Sequence, residues 1–412
     1  MTRYGRSPWL DNFPISRIPS YPRHRGAAQA DAVVIGGGLT GCATAWAFAA
    51  AGVNVILLEA DRIGRGATAF STGWISEEPG VAFADLENAL GLRAARRAFQ
   101  SWRRAALDFA SLLRRLEIKC ALEEHGAITI ATGPDQTLRM KKDHKARAGA
   151  GLATPLLNAR AIRSDVNVDA AAGLRSKAGA TIDPYRATLG LAAAAADRGA
   201  VVCERTPVRR ITFGRKNAQV FTATGSIRTQ RIIVATGVPT VALFKSLRRH
   251  FWFRTTFVAM TDPVPAKIRK AIGGGRSAEA SRSVLRDTAD PPHVVRWLDA
   301  DRLLVSGADG DTPPPRKLDK ILVQRTGQLM YELSTMYPDI SGIQAAYGWA
   351  ADYARTAEGI PYIGAHRNYP HHLFVFGDSS RSLTGAYLAS RILLRHHSGE
   401  LDPADEVFGF HR

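Results

Sequence analysis

Residues 31–60, DAVVIGGGLTGCATAWAFAAAGVNVILLEA, constrain the fold more than any other stretch of this 412-residue chain. The run 31–35 is short and nearly continuously apolar, as a strand buried in a parallel sheet must be. Gly36, Gly38 and Gly41 then spell G-x-G-x-x-G. In that pattern the first glycine permits the tight bend. The second lets backbone approach a pyrophosphate, and the third lets the following helix close onto the strand. Small residues (Ala43, Ala45, Ala47, Ala49, Ala50) continue along that helix, and Gly52 ends it. A second apolar strand over 53–58 closes on Glu59, 23 residues after Gly36. That spacing suits a carboxylate that accepts hydrogen bonds from an adenosine ribose. The whole unit predicts dinucleotide binding, whereas a merely glycine-rich turn leaves Glu59 unexplained.

Composition narrows the class. A chain with 45% hydrophobic and 22% charged residues is ordinary for a globular enzyme and long enough for two domains. Cys42, Cys120 and Cys203 lie far apart and form no C-x-x-C pair, which argues against a disulfide framework, a zinc site or a dithiol redox centre. Charges and prolines interrupt residues 1–25, so no signal-peptide core is present. No run of 18 apolar residues suggests a membrane span. The expected location is cytoplasmic. The net charge of +18 has two readings: a polyanionic partner such as nucleic acid, or a basic surface. Basic residues are scattered from end to end in short clusters, which favours the second. The pairs His371–His372 and His396–His397 are sequence neighbours that rarely share a metal, so no metal site is expected. No G-x-S-x-G nucleophile motif occurs.

Further along, residues 84–116 carry helical periodicity, 136–150 read as a polar, basic helix and 184–198 as an Ala/Leu-rich one. Residues 231–237, RIIVATG, read as a buried strand ending in a tight turn. Several strand-like runs between 250 and 310, separated by turn residues, predict a mostly antiparallel sheet. A helix is expected over 317–336, a buried strand at 373–377 and a final helix over 383–397. The first 30 residues, rich in Pro, Arg and aromatics, read as an extended surface arm.

One nucleotide-binding unit does not separate NAD from FAD. The motifs VVIGGGLTG with Glu59, GATAFSTG, DPYRATLGLAAAAADRGAVVCERTPVRRI, VATG and GIPYIG…LFVFGDSSRSLTGAYLASRIL follow one another in an order that resembles the D-amino acid oxidase / glycine–sarcosine oxidase superfamily of FAD-dependent oxidoreductases. The resemblance runs from about residue 7 to 412. It implies an α/β fold with a Rossmann-type FAD-binding domain, discontinuous in sequence, and a second, mainly antiparallel-sheet substrate domain. The expected division is an N-terminal arm over 1–27, an FAD-binding domain from 28–83, 151–243 and 345–412, and a substrate domain from 84–150 and 244–344.

Carried over residue by residue, the resemblance gives the phosphates to Gly36, Gly38, Leu39, Thr40 and Gly41 and the ribose to Glu59 and Ala60. It lays Gly66, Ala67, Thr68 and Ser71 beside the flavin, Val208 against the adenine, and Ala235, Thr236 and Gly237 along the cofactor. Gly377, Asp378, Ser380, Arg381, Ser382, Leu383 and Thr384 would face the isoalloxazine, with the final helix aimed at its pyrimidine edge.

The chain departs from its relatives twice. Serines replace two glycines in the run 377–382, with Arg381 where a histidine is common. After the Trp349 turn the nearest arginine is Arg355, which weakens the case for a simple α-amino acid. The implied activity is oxidation of a C–N bond of a small amine or amino acid, by hydride transfer to flavin N5 and hydrolysis of the resulting imine. FAD would be non-covalent and reoxidised by O₂ or a quinone. Arg381 and Tyr353 are the foremost candidates for substrate or flavin-edge contact, followed by Arg254 and Arg286. Two alternatives stay open: an FAD enzyme acting on modified tRNA, and a non-catalytic binding module that retains the fold.

Overall fold

Strands with no polar face have to lie mid-sheet with both faces covered, and Val55–Leu58 is buried at all four positions. In the computed structural model, which describes all residues except 273–281, 300 and 379–381 (and the side chains of 241–242), this strand sits inside an eight-stranded sheet. Its parallel core runs Val201–Cys203, Val55–Leu58, Gly26–Ile35, Gly225–Gly237, Tyr369–Phe376. The long strand Gly225–Gly237 takes two partners on its far side. Its first half pairs antiparallel with Ala218–Phe221, and its second half runs parallel to Tyr369–Phe376. The helix Leu39–Ala50 covers one face of this sheet, flanked by Pro184–Asp197 and Thr384–Ser398. Its alanines and Gly41 allow that close approach.

A second sheet has nine strands in the order Arg3–Tyr4, Ala345–Arg355, Trp252–Thr261, Arg302–Asp311, Val294–Leu298, Val284–Asp287, Ala127–Ala131, Ala172–Ser176, Leu156–Asn158. Its central strands are antiparallel, as the runs between 250 and 310 predict. The helix Pro315–Met336 packs on its outer face through Leu322, Leu329 and Leu333. The inner face, with Val258, Met260, Leu304 and Trp349, joins the main core that also contains the helix Leu39–Ala50.

The domain boundaries differ from those expected. Ala345–Arg355, assigned with the FAD-binding segments, is a strand of the nine-stranded sheet. So are Leu156–Asn158 and Ala172–Ser176. Conversely, the helix Leu92–Arg115, placed with the substrate domain, packs on the final helix, where Phe109 stacks on Tyr387 at 5.4 Å between ring centroids. Hydrophobic periodicity reports that a helix is amphipathic; it cannot report which layer its apolar face meets. The helical stretch 84–116 is also two helices, Phe83–Leu90 and Leu92–Arg115, broken at Gly91, whose φ of +84° lies in the left-handed region.

Residues 1–27 are more than a surface arm. Arg3–Tyr4 adds a parallel edge strand beside Ala345–Arg355. Trp9 is buried, and its indole N–H donates to the carbonyl of Ser71 at 3.0 Å. Interior ion pairs brace the layers. Arg147 is buried between Asp143 (2.7 Å) and Glu78 (2.5 Å), and Asp143 also accepts from the backbone N–H of Ala84.

The outer helix is tied to the sheet by His293, whose Nδ1 meets Asp287 at 2.6 Å and Nε2 meets Glu332 at 3.0 Å. Burial by itself lowers the basicity of this imidazole, but the hydrogen bonds and charges of Asp287 and Glu332 outweigh it and raise its pKa overall. A group with a raised folded pKa contributes its full stabilisation below its unfolded value, about 6.5, and loses it as pH climbs through the folded value. Urea unfolding of the wild type and of His293→Gln is therefore expected to differ most at about pH 5.5 and to converge above about pH 6.5. A gap that widens with pH would contradict the clamp.

Candidate active site

The G-x-G-x-x-G turn is built where backbone meets backbone. Gly36 has φ +109°, and a Cβ there would sit 2.6 Å from the carbonyl oxygen of Ala235 on the neighbouring strand. A Cβ on Gly41 would overlap the carbonyl oxygen of Gly36. Both positions demand glycine on contact grounds alone. Opposite the turn, Glu59 accepts from the N–H of Gly37 at 2.6 Å and from that of Asp61 at 2.8 Å. Its carboxylate thus lies at the mouth of the turn, at the end of the strand Val55–Leu58, with Ala60 exposed beside it. Gly64 N–H donates to Gly37 O at 2.9 Å and stitches the next loop on.

Four further segments gather around this turn. Thr68, in the short 3₁₀ turn Ala67–Phe70 that follows Gly66, accepts from Leu39 N–H at 2.9 Å and so tethers that turn to the start of the first helix, next to Thr40. Ala235 to Gly237 form the side wall at Gly36. Val208 lies just past the stretch where Glu59 N–H donates to Cys203 O and Thr206 N–H donates to Glu59 O, each at 2.8 Å. The C-terminal segment returns to the strand Trp74–Ser76: Leu383 N–H to Trp74 O (2.7 Å), Ser76 N–H to Ser382 Oγ (2.8 Å) and Thr384 Oγ1 to Ser76 O (2.7 Å). These contacts join parts of the chain about 300 residues apart.

One detail modifies the expectation for the final helix. A Cβ on Gly385 would collide with the Asp378 carboxylate, so this carboxylate lies over the helix's first turn. The positive end of the helix dipole is met by the chain's own acid as well as by whatever lies beyond it.

The inner face of the nine-stranded sheet bridges these segments. Trp349 donates its indole N–H to Phe70 O at 2.9 Å. Just past the other end of this strand, Thr356 packs so tightly on Gly377 that a Cβ there would collide with it. Ala351 and Tyr353 lie between these anchors on the face that carries Trp349, since side chains two apart share a face. Tyr353 OH donates to Asp309 at 2.6 Å.

The other arginine candidates have different roles. Arg254 pairs with exposed Asp311 at 2.8 Å on the rim, and Arg286 donates to Gly80 O at 2.7 Å and so holds the 77–82 loop. Arg355 is exposed opposite Trp252. Ser380 and Arg381 lie outside the described residues.

Sequence reasoning missed several structural members of this region. Arg296 is buried, donates to Gly73 O at 2.9 Å and stands 5.5 Å from the Trp9 ring. Burial lowers its pKa to about 10, against the opposing pull of Glu123 and Asp183. Glu204, also buried, accepts from Ile63 N–H at 2.9 Å and fixes the loop after Glu59. Neither has a local motif. An arginine amid alternating apolar residues is the only signal that 294–298 offers. All three cysteines are free and buried. Among the described residues no group of His, Cys, Asp and Glu is arranged to hold a metal, and no helix is long and apolar enough to cross a membrane.

The family described as "DAO: FAD dependent oxidoreductase" matches residues 31–395, and the chain belongs to it. The chain is 27% identical over 399 residues to the glycine oxidase of Bacillus licheniformis, covering 92% of this chain and 93% of that one. It is 25% identical over 380 residues to the gamma-glutamylputrescine oxidoreductase of Escherichia coli strain K12, covering 91% and 85%. Among solved structures, L-proline dehydrogenase from P. horikoshii superposes with a TM-score of 0.74 at 16% identity, covering 93% of this chain and 97% of that one. Glycine oxidase from Geobacillus kaustophilus superposes at 0.72 and 18%, covering 93% and 99%. These likenesses establish the fold that the motifs predicted.

The residues fit FAD. The cradle at Gly36 and Gly41 has no room for side chains, Glu59 stands at its mouth, and the first helix begins there at Gly38, which has no side chain of its own to cap it. Gly41→Ala is expected to purify without FAD, and a variant that keeps stoichiometric cofactor would show that the turn has room to spare. Glu59→Ala removes a charged acceptor and is expected to weaken FAD binding about 10–100-fold, read by fluorescence titration of the apoprotein. An unchanged dissociation constant would detach Glu59 from the ribose.

Proposed function

We propose that this FAD-dependent oxidoreductase oxidises a C–N bond of a small amine or amino acid. The observation that carries the reading is the strand Ala345–Arg355, which runs from the Phe70 carbonyl, met by Trp349, to Thr356 just past its end, packed on Gly377, and so links two expected cofactor-binding segments. Bound FAD supplies the two-electron acceptor. The substrate loses hydride from carbon and a proton from nitrogen, and water then converts the imine to a carbonyl compound with release of ammonia or a smaller amine.

The chain's own residues bind, orient and enclose. Tyr353 and Asp309 face the substrate space, while Trp349, Trp74 and the 77–82 loop, held by Arg286, wall it from water. Orientation of this kind is a large part of what a protein adds to cofactor chemistry. A side-chain base is not required for an amine that arrives neutral. The flavin is non-covalent in this reading: the three thiols are buried, and burial pushes each of their pKa values up, away from nucleophilic thiolate. O₂ or a quinone takes the electrons onward.

The test is anaerobic. Purified protein is expected to absorb at about 450 nm, to bleach with one class of amine or amino acid, and to release its flavin on acid precipitation. A loaded protein that no member of a broad amine and amino acid panel reduces would refute the reading.

A further inference from the structure

We propose, independently of the catalytic reading, that the outward face of the helix Leu92–Arg115 docks on an anionic lipid bilayer. Its arginines would sit on headgroup phosphates.

The helix has 24 residues and is about 36 Å long. Ala95, Ala98, Trp102, Ala105, Phe109 and Leu113 recur every three or four residues and are buried. The opposite stripe is exposed and carries Arg93, Arg96, Arg104 and Arg115, with Leu107 among them at 48% exposure. Leu92, at 50%, begins it. The whole helix has seven arginines and one acid, Asp108. Basic clusters that look short and scattered along the chain are thus gathered on one face by the helical turn.

Three of these arginines are occupied. Arg103 pairs with Glu77 and Arg114 with Glu124, and Arg97 donates to the carbonyl of Pro403. Arg93, Arg96, Arg104 and Arg115 have no hydrogen bond or ion pair among the described residues. Arg93 faces Arg96 and Arg97, three and four residues on, and like charges at that spacing destabilise a helix. A bound polyanion removes the repulsion.

The positive surface continues onto the helix Pro134–Gly149, whose Arg147 guanidinium lies 5.1 Å from the Phe99 ring. That helix buries Met140, Asp143 and Arg147. Leu138, Lys141, Lys142 and Lys145 occupy its opposite, exposed side, Leu138 at 71%. Against them stand three exposed carboxylates, Asp108, Asp135 and, on the adjoining helix Phe83–Leu90, Asp85.

Lipid fits this face better than nucleic acid does. The planar fork of arginine takes phosphate oxygens two at a time. Exposed leucines among cations suit the boundary between headgroups and acyl chains. Single-stranded nucleic acid is gripped by aromatic side chains, and here Phe99, Trp102 and Phe109 are all buried in the core.

The experiment floats the FAD-loaded protein with phosphatidylcholine vesicles, with and without about 30% phosphatidylglycerol. Binding is expected only to the anionic vesicles and should fall as salt rises. The triple variant R93A/R96A/R104A is expected to partition about 100-fold more weakly, about fivefold per arginine. Leu107→Ser should weaken binding about 10-fold. The control R215A/K216A/K320A removes as many exposed charges from other surfaces and is expected to change partitioning less than about twofold. FAD content and circular dichroism check folding; should the triple variant not fold, Arg104→Glu and Leu107→Ser decide. No binding, equal binding to both vesicles, an equal loss in the control, or retention on transfer RNA that vesicles do not compete away would overturn the proposal.

Discussion

The molecule depends on two places where side chains are forbidden. Gly41 lets the first helix descend until its backbone touches the carbonyl of Gly36, and Gly36 in turn sits against the carbonyl of Ala235. A strand, a turn, a helix and a neighbouring strand are thereby brought to contact distance at one point. The first helix then begins at the ends of the parallel strands, where open α/β sheets place their ligands. Glu59, at the end of the adjacent strand, is consequently within 2.6 Å of the Gly37 amide. Thr68 on one side and Ala235 on the other are positioned against this turn.

The two sheets are joined by polar groups that find partners far away in sequence. The indoles of Trp9 and Trp349 donate to carbonyls at Ser71 and Phe70, and Arg296 reaches Gly73 O. Each such bond is worth about 1 kcal/mol net, but a buried donor left unsatisfied costs about 1–3 kcal/mol. The contacts therefore discriminate against misdocked arrangements more than they add stability. Arg296 is the extreme case: a buried cation whose partners are carbonyls, with its basicity reduced by desolvation. The loop 66–76 is held in this way from the N-terminal segment, the nine-stranded sheet and the C-terminal segment together.

Net charge and local charge point in opposite directions. The chain carries +18 overall, yet the carboxylate of Glu59 stands at the mouth of the glycine-rich turn and that of Asp378 over the first turn of the final helix. A surface-wide excess of arginine sets solubility and long-range steering; cofactor recognition at short range is decided by the few groups beside the turn.

By itself the sequence determined the nucleotide-binding unit, because its requirements are local: a turn that needs glycine, a helix that needs small residues, an acid at a set distance. It also determined the antiparallel character of 250–310, since periodicity is a property of neighbouring residues. Only the tertiary structure decided that Ala345–Arg355 belongs to the nine-stranded sheet, that Trp9 enters the core, and that Arg254 and Arg286 serve the rim and a loop. Each is settled by a partner distant in the chain, which no local pattern encodes.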